Sequence, residues 1–458
     1  MEASGYGDEV VKWMREHGVR VFSRVRLRLS DGVELRGIVM PRPRVGDREV
    51  LVLKLDNGYN VGVHVSRVAD VDVLGEYAAT LEGKPGATAK VREGLPRVHF
   101  LGTGGTIASR VDYVTGAVYP YFSAEEIYSM IPELEEIAVI SAETLFSIFS
   151  EDMTPSHWSQ LAQHVKKVFE TEAPAGIVVA HGTDTMHYSA AALAFAARKL
   201  PGPVVFTGAQ RSSDRPSSDA AVNVIGATLV AAQAPFAESV IAMHGSPDDR
   251  VVLAHRGVRA RKMHSSRRDA FMSINSLPLA RVDVVSRELK VLLGEYKPRS
   301  DEVEVHPRFS DKVALVKFYP GMPGDVLEFY GERGYRGLVL EGTGLGHVRS
   351  GLIEAVRKLV KDGVVVVMTT QCLWGRVNMN VYRTGVELLE AGVVPAEDML
   401  PETAFAKLSW ILGQTEDVEE AKRLFRENLA YETSKRTEYI TYPGAMWWEH
   451  AIRTPAQG

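Results

Sequence analysis

From about residue 98 onward, short apolar runs rich in β-branched residues alternate with longer stretches of helical periodicity, and this alternation limits the folds open to the chain. Residues 98–101, 177–180, 204–207 and 251–253 read as strands, with helices at 124–130, 157–171, 189–199 and 219–232. The pattern resumes with strands at 313–318, 337–340 and 364–368 and helices near 324–331 and 350–361, then helices at 385–391, 403–412 and 418–428. Strands joined through helices form a sheet covered on both faces, so the spacing predicts an α/β protein with a mostly parallel sheet.

The first 75 residues have a different texture. Val25, Leu27 and Leu29 alternate with Arg24, Arg26 and Arg28, the period of two of a half-exposed strand. Ser30-Asp31-Gly32 is a turn signal and 33–40 the return strand; 50–55, Asp56-Asn57-Gly58 and 59–65 repeat the arrangement. Two hairpins behind one short helix predict a small β-barrel. Residues 76–96 are rich in Gly, Pro, Ala and charge, as linkers are, and 296–311 form a second charged connection. The expected division is a β-barrel-like domain at 1–75, a linker at 76–96, an α/β domain at 97–295, a linker at 296–311 and a smaller α/β domain at 312–458.

A chain of 458 residues accommodates two or three such domains. Its net charge of −5 supplies no global field for nucleic acid, although residues 11–54 carry eleven Lys/Arg against five Asp/Glu. Solvated strand faces account for that excess, with a minor nucleic-acid or partner contact as the sharper reading. The single Cys372 cannot form an intrachain disulfide. There is no signal-like N-terminus and no apolar run of the ~18–20 residues that span a bilayer, so a soluble, cytoplasmic protein is expected.

Two strand-to-loop junctions carry the chemistry. Leu101-Gly102-Thr103-Gly104-Gly105-Thr106-Ile107 follows an apolar strand, where glycines allow a tight turn and close backbone approach to a ligand. It lacks the third glycine of a dinucleotide fingerprint and the Gly-Lys-Ser/Thr of a phosphate loop. Ala180-His181-Gly182-Thr183-Asp184-Thr185-Met186 follows a second strand and precedes a helix. Helix capping explains any one of these hydroxyls or the carboxylate on its own.

Taken together, 103–108 and 181–185 resemble the two signature motifs of the L-asparaginase/glutaminase family. Further likenesses occur in the family's order: Tyr113-Val114-Thr115-Gly116, Ser150-Glu151-Asp152-Met153, Phe206-Thr207-Gly208-Ala209-Gln210-Arg211 and Arg261-Lys262-Met263-His264. The resemblance covers about 96–450. It implies an asparaginase-like two-domain core, with Thr106 and Tyr113 forming one catalytic group and Thr183, Asp184 and Lys262 the other. Ser150, Glu151, Thr183 and Asp184 would hold the substrate's α-carboxylate and α-amino group, and Thr106 is the favoured nucleophile. A threonine hydroxyl needs a neighbouring base to take its proton, and a lysine against an aspartate suits that relay. Backbone N–H groups of the Gly104-Gly105 turn, or of Thr183, would stabilise the oxyanion.

Glu151 stands where many members of the family carry glutamine. About 95 residues also precede the first motif, and these, with Gln371-Cys372-Leu373-Trp374-Gly375-Arg376-Val377-Asn378 and Pro401-Glu402-Thr403-Ala404, resemble the D-type subunits of archaeal glutamyl-tRNA(Gln) amidotransferases. That resemblance implies a glutaminase whose partner, the E-type subunit of the amidotransferase, binds tRNA, uses ATP and Mg to activate the misacylated glutamate, and receives the ammonia. It further implies a homodimer core within a heterotetramer. The alternatives are a free-standing L-asparaginase with an accessory domain, or a catalytically silent scaffold.

Neither a cofactor nor a metal is expected in the chain itself. His181, His187, His244, His255 and His264 lack the helical i, i+4 spacing with glutamate of a zinc site, and one cysteine makes no thiolate site. The glycine-rich loop 342–347 reads as a turn or subunit contact, and Trp447 and Trp448 as packing or interface residues.

Overall fold

The computed structural model describes residues 5–41, 48–55, 60–76, 94–104, 109–111, 118–120, 124–211 and 218–442. Helix α1 (Asp8–Glu16) precedes strands β1 (Ser23–Leu29), β2 (Glu34–Val39), β3 (Val50–Leu55), β4 (Asn60–His64) and β5 (Val68–Glu76), ordered β4-β3-β2-β1-β5 and antiparallel throughout. The alternation in β1 is realised: Val25, Leu27 and Leu29 enter a core with Val10, Met14, Leu51 and Leu53. Arg26 and Arg28 lie opposite Asp72 and Asp70 of β5, with N–O distances of 2.5 and 3.7 Å. Two of the strand's three arginines are thus matched by carboxylates of the same sheet, which weakens the case for a tRNA-binding stripe. No ladder joins β4 to β5 among the described residues, so the domain is an open antiparallel sheet there. The turn 56–58 and most of the expected linker, 77–93, lie outside the described residues.

The central sheet contains β6 (Arg97–Gly102), β9 (Val139–Thr144), β10 (Gly176–Ala180), β12 (Val204–Thr207), β13 (Ser239–His244), β14 (Val251–Arg256), β17 (Ala280–Asp283) and β18 (Glu288–Val291), in the order β18-β17-β14-β13-β12-β10-β6-β9. From β9 to β13 the strands run parallel; β14, β17 and β18 are antiparallel additions. The short pairs β7 (Ser109–Val111) with β8 (Val118–Pro120), and β15 (Ala260–Lys262) with β16 (Phe271–Ser273), stand apart from it.

Strand periodicity sorts side chains to the two faces. Leu101, Ile177, Val179 and Phe206 pack with α3 (Pro155–Thr171) and α4 (Met186–Ala196). Val98, Phe100, Val178 and Val205 pack with α5 (Ala220–Gln233) and with Ile127 of α2 (Ala124–Met130). Residues 197–199, expected as the end of a helix, instead form β11 (Ala197–Lys199), paired with β19 (Glu304–Val305). That pairing comes from far along the chain, so local periodicity could not show it. It also fastens the segment 296–311 to the core. Arg299 donates to the carbonyls of Ala175, Pro201 and Ala234, and Trp410 Nε1 donates to His306 O at 2.9 Å.

The remaining sheet is parallel, with order β20 (Val313–Lys317), β21 (Gly337–Gly342), β22 (Val365–Thr370) and β23 (Val394–Pro395). Around it lie α6 (Asp325–Glu332), α7 (Ile353–Lys361), α8 (Arg383–Glu390), α9 (Pro401–Gln414) and α10 (Val418–Arg426). Ala404, Leu408 and Ile411 of α9 join the same core as α4, so one apolar interior runs through both α/β parts. The loop 342–347 is a closed turn, with Thr343 N donating to His347 O at 2.8 Å.

Candidate active site

Two adjacent parallel strands deliver the two sequence junctions side by side. Gly102 at the end of β6 is in register with Ala180 at the end of β10, and Thr103 donates both its N–H and its hydroxyl to Ala180 O at 3.0 Å. Carboxyl ends of parallel strands are where α/β sheets bind ligands. The glycines are there for closeness: a Cβ on Gly104, which sits at φ +106°, would fall 2.1 Å from Ile148 O. One on Gly182 would fall 2.8 Å from Ser150 Cβ and 3.0 Å from its hydroxyl. Ser150 is thereby brought against the second motif from the loop after β9, and Thr185 donates its hydroxyl to Ser150 O.

Lys262 reaches this place from the end of β15. Its Nζ donates to Thr183 Oγ1 at 2.8 Å and to Asp184 Oδ1 at 2.7 Å. Thr183 is buried, the lysine side chain is 10% exposed and that of Asp184 is 70% exposed, so the cluster runs from the interior to the surface with one carboxylate in solvent. A lysine amino group this close to a hydroxyl can take its proton when in the free-amine form, and the ammonium that results stabilises the alkoxide. Of the seven residues singled out in the sequence, Ser150, Thr183, Asp184 and Lys262 come together. Glu151 is exposed beside them, its carboxylate 3.5 Å from the Ser150 hydroxyl. Thr106, Tyr113 and Gly105 lie outside the described residues.

Several supporting groups escaped sequence reasoning. His181 donates from Nδ1 to Gly182 O at 2.7 Å and accepts at Nε2 from Ser189, whose oxygen in turn accepts from Trp158 Nε1. Burial pushes His181 down to about 4, so the ring is neutral with both nitrogens committed. Burial, then the charges of Arg261 and Lys262, push His187 down to about 3. Asp219 accepts from the N–H groups of Gln210 and Arg211 and from Asn223 Nδ2, holding the loop after β12 in place. Behind Lys262, Arg261 pairs with buried Glu402 at 3.1 Å across the boundary between the two α/β parts, and burial raises the Glu402 carboxyl. The remaining histidines are otherwise engaged: His244 with Asn223, His255 with Ser273, and His264 as acceptor for Ser266 N.

Comparisons with known proteins agree with this architecture. Residues 97–292 match the asparaginase N-terminal domain, 312–425 the glutaminase/asparaginase C-terminal domain, and 19–74 the GatD N-terminal domain. The thermostable L-asparaginase from Thermococcus kodakarensis superposes with a TM-score of 0.67 at 33% identity, covering 74% of this chain and 99% of its own. The D-type subunit of glutamyl-tRNA(Gln) amidotransferase from Thermofilum pendens is 63% identical over 97% of this chain and 100% of its own length. The Pyrococcus furiosus protein of the same name is 49% identical over 94% of this chain and 99% of its own. With an asparaginase fold, a GatD N-terminal domain and identity sustained along nearly the whole length, the chain belongs to the GatD family, the D-type subunits of glutamyl-tRNA(Gln) amidotransferases.

Proposed function

We propose that this chain is the glutaminase subunit of a tRNA-dependent amidotransferase, releasing ammonia from glutamine so that a partner can convert Glu-tRNA(Gln) to Gln-tRNA(Gln). The observation that carries the reading is the Lys262 amino group held within hydrogen-bond reach of both Thr183 and Asp184, in a chain of the GatD family. A silent scaffold would have no need of that cluster at the protein surface.

Thr106 is the proposed nucleophile. Its oxygen attacks the side-chain carbonyl carbon of glutamine while its proton passes through the Thr183 hydroxyl to Lys262, which accepts it as the free amine. The C–N bond then breaks as the Lys262 ammonium so formed returns that proton to the leaving nitrogen, which departs as ammonia, and an ester joins Thr106 to the glutamyl group. Water cleaves the ester and releases glutamate. Tyr113 assists Thr106, and backbone N–H groups near Gly104 stabilise the oxyanion, each such donor being worth ~2.7–4 kcal/mol of barrier. Ser150 and Glu151 join Thr183 and Asp184 in holding the α-carboxylate and α-amino group.

The sequence offers no phosphate-cradling loop, which supports placing ATP, Mg and most tRNA contact in the E-type partner. A homodimer core in a heterotetramer, working in the cytoplasm, completes the proposal. Among the described residues no helix is long and apolar enough to cross a membrane. Assaying the lone chain against glutamine and asparagine tests the assignment: rapid unaided turnover of asparagine would make it a free-standing asparaginase.

A further inference from the structure

The edge of the central sheet holds a group of side chains that the hydrolytic reaction does not use. His99 on β6, Glu143 on β9 and His164 on α3 converge on the face that carries Leu101. Their ligand atoms all lie within 4.8 Å of one another. His99 Nε2 is 3.1 Å and His164 Nε2 2.5 Å from the same oxygen, Glu143 Oε1.

The other side of the His99 ring decides how this group is read. Nδ1 lies 2.9 Å from Ser141 Oγ and 3.1 Å from Glu172 Oε2, and Ser141 itself donates to Glu172. The carboxylate can only accept, so Nδ1 carries a proton and Nε2 is the ring atom left to face Glu143. That nitrogen is buried, makes no hydrogen bond, and faces a carboxylate oxygen. A ring nitrogen and a carboxylate oxygen at that distance are held together by a shared proton or a shared cation, and no hydrogen bond of proper geometry joins these two. A carboxylate bonded to the far nitrogen of an imidazole is also the arrangement that orients histidine ligands in metal sites.

We propose that His99 Nε2, His164 Nε2 and Glu143 Oε1 bind a divalent zinc-type cation, with Ser141 and Glu172 orienting His99. Two imidazoles and one carboxylate form a ligand set that zinc accepts, with a water as the fourth ligand. Bonds of about 2.1 Å at tetrahedral angles separate ligand atoms by about 3.4 Å. The His99–Glu143 pair is close to that spacing already, and His164 reaches it by withdrawing about 1 Å. The His164 side chain is 15% exposed, which leaves room for the shift. The ion would tie α3 to the two strands whose ends lead into the Gly104 and Ser150 loops. No spacing rule within a single helix could reveal it, because the three ligands come from three elements.

The test uses the full chain, stripped with chelator and titrated with Zn²⁺ by calorimetry and elemental analysis, and with Co²⁺ by visible absorption. The wild type is expected to take up one equivalent, with the d–d bands of a low-symmetry cobalt site and a raised unfolding midpoint. His164→Ala and Glu143→Gln, whose folding is checked by circular dichroism, are expected to lose that equivalent. Glu172→Gln is expected to weaken it about 10- to 100-fold. A wild type that holds no zinc, or variants that hold the same equivalent, would overturn the proposal and leave a histidine–glutamate ion cluster.

Discussion

Replacing Lys262 with methionine separates a catalytic role from a structural one, because the structure assigns the two effects very different sizes. Methionine keeps much of the aliphatic length and removes the ammonium, and with it the contacts to Thr183 Oγ1 at 2.8 Å and Asp184 Oδ1 at 2.7 Å. The partner carboxylate is 70% exposed and stays hydrated when left alone. An ion pair of that exposure contributes about 0–1 kcal/mol to folding. Thr183 loses one donor but keeps its own proton to give. The unfolding midpoint should therefore fall by only a few degrees. A group that takes part in proton transfer contributes about 10²–10⁴ in rate, or about 2.7–5.4 kcal/mol of barrier at 1.36 kcal/mol per decade. Glutamate release under single-turnover conditions, measured beside thermal unfolding, reads both quantities on one preparation. Activity within tenfold of wild type would refute the relay, and a collapse of the midpoint would mean that Lys262 mainly holds the fold.

Three further expectations rest on independent parts of the molecule. Gly182→Ala puts a methyl 2.8 Å from Ser150 Cβ, and overpacking of about 1–3 kcal/mol should appear as a roughly 5- to 150-fold loss in kcat/KM carried mainly by KM; an unchanged KM would remove Ser150 from substrate binding. Lys407 and Glu432 form a fully buried pair at 2.6 Å, and Glu432 also accepts from the N–H groups of Leu429 and Ala430. Lys407→Met strands that carboxylate and should cost about 3–5 kcal/mol in denaturant unfolding, whereas a loss below 1 kcal/mol would show that the pair is dispensable. Burial holds His181 and His255 at about 4 and His187 at about 3, against an ordinary 6.5. Between about 6.5 and 4 the unfolded chain binds protons that the folded chain refuses, so stability is full above 6.5 and declines as pH falls, by up to about 1.4 kcal/mol per pH unit for each histidine. His255→Asn should flatten that slope by one proton's worth, and an unaltered slope would contradict the neutral buried ring.

Local chemistry made much of the core legible. Apolar runs of the right length gave most of the strands that flank the site, and the glycine–threonine junctions at 102–106 and 181–185 marked the ends of two strands that prove to be neighbours. Lys262 carries no local signal, since it acts on Thr183 from 79 positions away; only the family resemblance singled it out. The fifth strand of the first domain, β5, was missed because Asp70 and Asp72 give it the polarity of a loop. Those aspartates are favourable there because Arg26 and Arg28 lie across the ladder. The antiparallel strands β14, β17 and β18, and the pairing of β11 with β19, are long-range hydrogen-bonding choices that hydropathy does not encode. Trp447 and Trp448 lie outside the described residues.

The most direct test of the account is to purify the chain at native abundance from its own cells and measure glutaminase activity with and without added glutamyl-tRNA(Gln). The account predicts a stoichiometric second protein bound to it, and glutamate release that rises when the charged tRNA is supplied. A homodimer alone, hydrolysing asparagine at full rate and indifferent to tRNA, would contradict it.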